Sequence, residues 1–303
     1  MTYDSRRPFG RLLTAMVTPF RADGSLDTEG AAALAEYLVA EQGNDALVIN
    51  GTTGESPTTS DAEKETLLRA VVEAVGDRAK VVAGVGTNNT AHTIELARAA
   101  EKAGAHGLLV VTPYYNRPPQ AGLLHHFTAV ADATDLPILL YDIPGRTGLP
   151  IETETLCRLA EHERIVGVKD AKGLIAESSW VIARTDLAYY AGDDAATLPL
   201  LAVGGVGVVG TSTHFTGTGT KQMIEAYERG DVAEARRLHL ALLPLYTGIF
   251  RTQGTILVKA GLTLRGLPAG PVRPPLVDAT EAQVDQLRAD AAAAGIDLAE
   301  RRS

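Results

Sequence analysis

One lysine stands inside an apolar, β-rich run: Ile165-Val166-Gly167-Val168-Lys169. Strand alternation gives Lys169 the direction of Gly167 and Ile165, inward in a closed sheet. A lysine so placed loses hydration, which disfavours its ammonium form and lowers its pKa. The neutral amine that results can attack a carbonyl carbon. The same spacing also suits a strand-end lysine whose stem lies along apolar surface while its charge reaches solvent. The other six lysines are framed differently. Lys64, Lys102, Lys221 and Lys259 lie on helical patterns, Lys80 begins a strand and Lys172 follows Lys169 into a loop.

Further polar residues stand at or just after the ends of other apolar runs. Thr52 and Thr53 occupy a glycine-flanked turn, Gly51 to Gly54, that leads to a helix; its amides and hydroxyls suit a carboxylate, or simply a turn with a helix cap. Arg146 follows another run with a planar fork suited to a second carboxylate, or to an acidic surface neighbour. Tyr114, Tyr115 and Tyr141 are either proton-transfer groups or packing aromatics with wet hydroxyls. Metal chemistry has little support, since the seven histidines show no HExxH or similar ligand spacing. No GxSxG elbow occurs, and the single cysteine, Cys157, sits in a helical pattern that suits a small buried hydrophobe. A covalent lysine mechanism without a cofactor or metal survives this elimination.

The elements that must position these residues alternate between strand and helix. Eight apolar runs are Leu12 to Val17, Ala46 to Asn50, Lys80 to Val85, Gly107 to Thr112, Pro137 to Asp142, Ile165 to Lys169, Leu187 to Ala191 and Val206 to Gly210. Helical spacing fills the gaps, with Gly43 and Gly104 placed as helix stops and Ser60 and Glu63 as a capping box. Eight β/α units over residues 1–230 predict a (β/α)8 barrel, whose active site gathers at the C-terminal ends of the strands. Gly205, Gly207 and Gly210 spell GxGxxG, but no βαβ unit follows, so they are read as close backbone approach within a barrel strand. From residue 231 the strands stop. A C-terminal helical region is expected over 231–303, with Val284, Leu287, Ala291 and Ala294 as the apolar stripe of its last helix and Pro268 to Pro275 as a connector.

A net charge of −9 and a pI near 5.3 argue against nucleic-acid or anionic-membrane partners, which are bound through clustered Lys and Arg. The first residues lack the apolar core of a signal peptide, and a lone cysteine suits a reducing compartment, so the expectation is a cytoplasmic enzyme.

GTTGES at 51–56, VTPYYNRPP at 111–119, YDIPGRTG at 141–148, GVKDAK at 167–172 and AGDDA at 191–195 occur in this order. Together they closely resemble the dihydrodipicolinate synthase family, within the pyruvate-dependent class I aldolases that include N-acetylneuraminate lyase. The resemblance spans essentially the whole chain. It implies that Lys169 forms a Schiff base with pyruvate and that Thr53 binds the pyruvate carboxylate. It implies a hydroxyl relay of Tyr141, Thr52 and Tyr115, the last from a neighbouring subunit, in a homotetramer built as a pair of dimers. Arg146 is expected to hold the carboxylate of L-aspartate 4-semialdehyde, and main-chain atoms of Gly192 and Val209 to lie near the pyruvate. The arginine separates this family from the sialic-acid lyases; a related aldolase or dehydratase for another 2-oxo acid is the alternative. Two departures stand out. Asp61, Lys64 and His92 occupy positions where lysine-inhibited members carry histidines and a glutamate, although Ser56, Asn88 and Tyr114 match, so feedback inhibition by lysine is expected to be weak or absent. The Thr211-Ser212-Thr213-His214-Phe215 segment also departs from the family's pattern.

Overall fold

A computed structural model describes residues 7–299. Eight parallel strands close into a barrel in sequence order: β1 (Leu12–Ala15), β2 (Ala46–Ile49), β3 (Lys80–Gly84), β4 (Gly107–Val111), β5 (Ile138–Asp142), β6 (Ile165–Asp170), β7 (Ala188–Ala191) and β8 (Gly207–Gly210). Each falls within its expected run or within a residue of it. The ring closes where Leu13 pairs with Val209. Such strands are buried on both faces, which explains their nearly unbroken apolar character.

Two apolar layers result. Leu13, Ala15, Val48, Val82, Leu109, Leu139, Tyr141, Tyr190 and Val209 fill the barrel interior, with Phe9 packed among them. Alternate residues such as Leu12, Leu47, Val81, Leu108, Leu140 and Val168 pack outward against the helices. Gly207 has the close approach expected of a barrel glycine, since an added Cβ would stand 2.0 Å from the Arg11 carbonyl oxygen.

One expectation fails at β6. The pairing with β5 shifts between Ile138 and Leu139, which oppose Ile165 and Gly167, so a bulge at Val166 adds a residue and reverses the pleat. Ile165 therefore packs outward with Val168 in the helix layer and does not share the direction of Lys169.

The helix signals correspond to real termini. The Ser60 hydroxyl accepts from Glu63 N at 3.2 Å while Glu63 Oε2 accepts from Ser60 N at 2.8 Å. Gly43 and Gly104 follow their helices with φ of 71° and 89°. After the helix Thr213–Glu228 come Val232–Gly248, Gly254–Leu264 and Glu281–Ala293. On the last, Leu287 and Ala291 are buried, whereas Val284, and Ala294 just past its end, are only half-buried. Asp290 shares the buried face because Arg251 grips it with two bonds of 2.8 and 3.0 Å. Cys157 is half-buried against the core rather than enclosed in it. Among the described residues no helix is long and apolar enough to cross a membrane.

Candidate active site

Lys169 lies near the C-terminal end of β6, in register with Tyr141 on β5 and Tyr190 on β7. It is 4% exposed, and its Nζ sits 4.2 Å from the centroid of the Tyr141 ring. Burial pushes the ammonium pKa down to about 8, Arg146 adds to that, and the attraction of Asp194 opposes it. A substantial neutral fraction near neutral pH is what a nucleophilic amine needs. Gly192 makes room for the lysine stem: an added Cβ would stand 3.1 Å from Lys169 Cγ.

Tyr141 is also buried, and burial pushes its phenol up to about 12 against the pull of Arg146 and a hydrogen bond with Thr52. It therefore keeps its proton and can pass one on only by receiving another. Thr52, Tyr141 and Arg146 line a cavity of about 220 Å³ at the barrel mouth, together with Asn50, Ser56 and Tyr114. Arg146 is exposed on the short helix Pro144–Thr147 and has no acidic partner among the described residues, so its fork is available to a ligand.

Thr53 stands on the neighbouring wall. Its side chain is buried, its Oγ1 lies 3.4 Å from Thr211 Oγ1, and its carbonyl accepts from the Thr255 hydroxyl at 3.0 Å. The turn is pinned again by Thr18, whose hydroxyl donates to Gly54 O at 2.6 Å. At its far end Glu55 has a left-handed backbone, φ 57°, and its carboxylate is met at 2.6 Å by Lys259. Val209 is buried in the interior layer of β8. Thus Thr52, Tyr141 and Arg146 share one cavity, Lys169 lies against Tyr141 with Gly192 beside its stem, and Thr53 follows Thr52 in the turn, whereas Val209 is placed only in the interior layer.

Tyr115 does not join them. It is 91% exposed with φ 74°, a left-handed conformation that an aromatic residue rarely adopts. Its neighbour Tyr114 is the one that lines the cavity.

Several contributors escaped sequence reasoning. Asp194 is buried with its pKa raised by burial, and accepts from Thr211 N at 3.0 Å, Ser212 N at 3.1 Å and Ser212 Oγ at 2.6 Å. Lys172 lies in the loop after β6 and Lys259 on a helix, as expected, but the side chains of both are buried. Lys172 Nζ lies 3.2 Å from Asp142, at the outward-facing end of β5, and Lys259 meets Glu55. The signal was the second acidic residue of AGDDA for Asp194; for the two lysines the partners are distant in sequence.

Asp61, Lys64 and His92 satisfy one another. His92 Nε2 lies 2.8 Å from Asp61 Oδ2, and Lys64 Nζ lies 3.9 Å from Asp61 Oδ1 while donating to Thr59 O at 2.5 Å.

Comparison with known proteins now bears on this geometry. The chain is 74% identical over 288 residues to the 4-hydroxy-tetrahydrodipicolinate synthase of Acidothermus cellulolyticus, covering 95% of this chain and 93% of that protein. It is 63% identical over 297 residues to 4-hydroxy-tetrahydrodipicolinate synthase 2 of Streptomyces coelicolor, covering 98% and 99%. Among solved structures, the synthase of Cyanidioschyzon merolae with lysine bound superposes with a TM-score of 0.92 at 44% identity, covering 95% of this chain and 98% of that one. The profile of the dihydrodipicolinate synthetase family matches residues 8–294, from the base of the barrel into the last helix. With that extent of match, and with the five motifs ranged around the mouth of one barrel, the chain belongs to the dihydrodipicolinate synthetase family.

Proposed function

We propose that the protein is a 4-hydroxy-tetrahydrodipicolinate synthase, a lyase that condenses pyruvate with L-aspartate 4-semialdehyde in diaminopimelate and lysine biosynthesis. The observation that carries the reading is the buried Lys169 beside Tyr141, its pKa lowered to about 8. The neutral amine attacks C2 of pyruvate, and loss of water leaves a protonated imine. Tyr141, Thr52 and Tyr115 pass the protons this needs, with Tyr141 accepting one as it gives one. Loss of a C3 proton yields the enamine, whose C3 attacks the aldehyde carbon of the semialdehyde. The amino group of that second substrate then attacks C2, closing the ring and releasing Lys169. One water leaves overall. Thr53 holds the pyruvate carboxylate, Gly192 and Val209 contribute main-chain atoms, and Arg146 holds the carboxylate of the second substrate in bidentate fashion. No cofactor is called for.

Tyr115 reaches the relay of a neighbouring copy, so a dimer is the smallest complete unit, within a tetramer made of two dimers. Its 91% exposure supports this, and exposed Leu174 and Trp180 support further contact between copies. The free cysteine supports a reducing, cytoplasmic setting. The test is turnover: purified protein should consume both substrates together, and Lys169→Ala should abolish it. Turnover of another 2-oxo acid and aldehyde pair, with none of this one, would assign a related aldolase instead.

A further inference from the structure

Thr211 directly follows β8 and is fastened on three sides. Its N–H donates to Asp194 Oδ2 at 3.0 Å. Its carbonyl oxygen lies 2.8 Å from His214 Nδ1, which carries the ring proton because Nε2 accepts from Val17 N at 3.2 Å. Its methyl packs toward the start of the helix Gly254–Leu264, where a Cβ added to Gly254 would stand 3.3 Å from Thr211 Cγ2. The remaining direction, taken by the hydroxyl, faces Thr53 Oγ1 at 3.4 Å. Thr53 is itself held, by Thr255 through its carbonyl. Both threonines are more than nine-tenths buried, at 6% and 8% exposure, so water does not compete freely for these hydroxyls.

We infer that Thr211 is a positioning residue for capture of the 2-oxo acid: its hydroxyl donates to Thr53 Oγ1 and so commits the Thr53 proton to the substrate carboxylate. The reason is proton counting. A hydroxyl has one proton and two lone pairs, whereas a carboxylate only accepts. While the site holds no carboxylate, either threonine can donate to the other. Once one is present, Thr53 must donate to it, and Thr211 is the group placed to donate to Thr53 in turn. Each bond of such a chain polarises the next, which strengthens the hold on the carboxylate. A valine at this position would keep the shape and the methyl contact but leave Thr53 without its donor.

The inference rests on Thr53 binding the 2-oxo acid as proposed above, and the experiment separates the two. Thr211→Val and Thr211→Ser are compared with the unaltered enzyme for kcat, for the KM of pyruvate, and for reductive trapping of pyruvate on Lys169. We expect Thr211→Val to raise the KM for pyruvate about three- to tenfold with kcat and melting temperature little changed, and Thr211→Ser to restore it. Failure of the unaltered enzyme to trap pyruvate would overturn both the functional reading and this inference. Normal trapping with an unchanged KM in Thr211→Val would overturn this inference alone. So would impairment of the serine variant equal to that of the valine variant, because serine keeps the hydroxyl that the inference depends on.

Discussion

At the scale of single residues, the protein spends stability on reactivity at Lys169. Its folded-state pKa of about 8 lies below the ordinary 10.5, so the burial penalty is fully present below pH 8 and is relieved as pH rises from there toward 10.5. A shift of this size corresponds to roughly 3 kcal/mol at neutral pH. Lys169→Met, which keeps the length and removes the charge, should abolish turnover yet raise stability by about 1–3 kcal/mol, read by thermal or urea unfolding. The same titration should appear in catalysis, with kcat/KM for pyruvate climbing as pH rises through about 8 and then levelling; a profile flat between pH 6 and 9 would contradict it. The expectation of weak feedback inhibition by lysine belongs to this scale too. Lys64 would set its ammonium against that of an incoming lysine, and His92 is already engaged by Asp61. Millimolar lysine should leave turnover nearly unchanged, and strong suppression in a steady-state assay would refute this.

Elements place the reacting groups, and here the sequence was legible to different depths. The eight strands could be read because parallel barrel strands are buried on both faces and so form continuous apolar runs ending in the polar residues of the site. The bulge at Val166 could not, since it depends on how β6 pairs with β5, and reading an unbroken pleat put Ile165 on the wrong face. Lys169 points inward because the pleat is regular beyond that bulge. Nor were the partners of Lys172 and Lys259 legible: the apolar run Ile256-Leu257-Val258 before Lys259 was a sign of burial, but Asp142 and Glu55 arrive from other elements. The Lys259–Glu55 pair joins a C-terminal helix to the turn that carries Thr53. Lys259→Met would strand the Glu55 carboxylate in the interior, at a cost of about 3–5 kcal/mol. A lower denaturation midpoint together with a higher KM for pyruvate is the expected result; an unchanged KM would show that the turn holds its shape without this strut.

For the whole molecule, the outlying residue is Tyr115, exposed and left-handed while the rest of the predicted relay converges at the barrel mouth. Motif resemblance named its role, but the geometry of one chain could not, since Tyr115 stands apart from the other residues of the site; the proposal above sends it to a neighbouring copy. If neighbouring subunits share sites, Lys169→Ala and Tyr115→Ala proteins, each impaired alone, should recover activity when dissociated and reassembled together. In each mixed dimer one of the two sites then combines an intact lysine with an intact tyrosine. No recovery in mixed dimers verified by mass would return Tyr115 to a surface role. All of these expectations converge on one covalent bond. Treating the protein with pyruvate and borohydride, then mapping peptides by mass, tests that bond directly. The account predicts a gain of one pyruvic acid less one oxygen on Lys169 and on no other lysine; an unmodified Lys169, under conditions where the enzyme turns over, would contradict it.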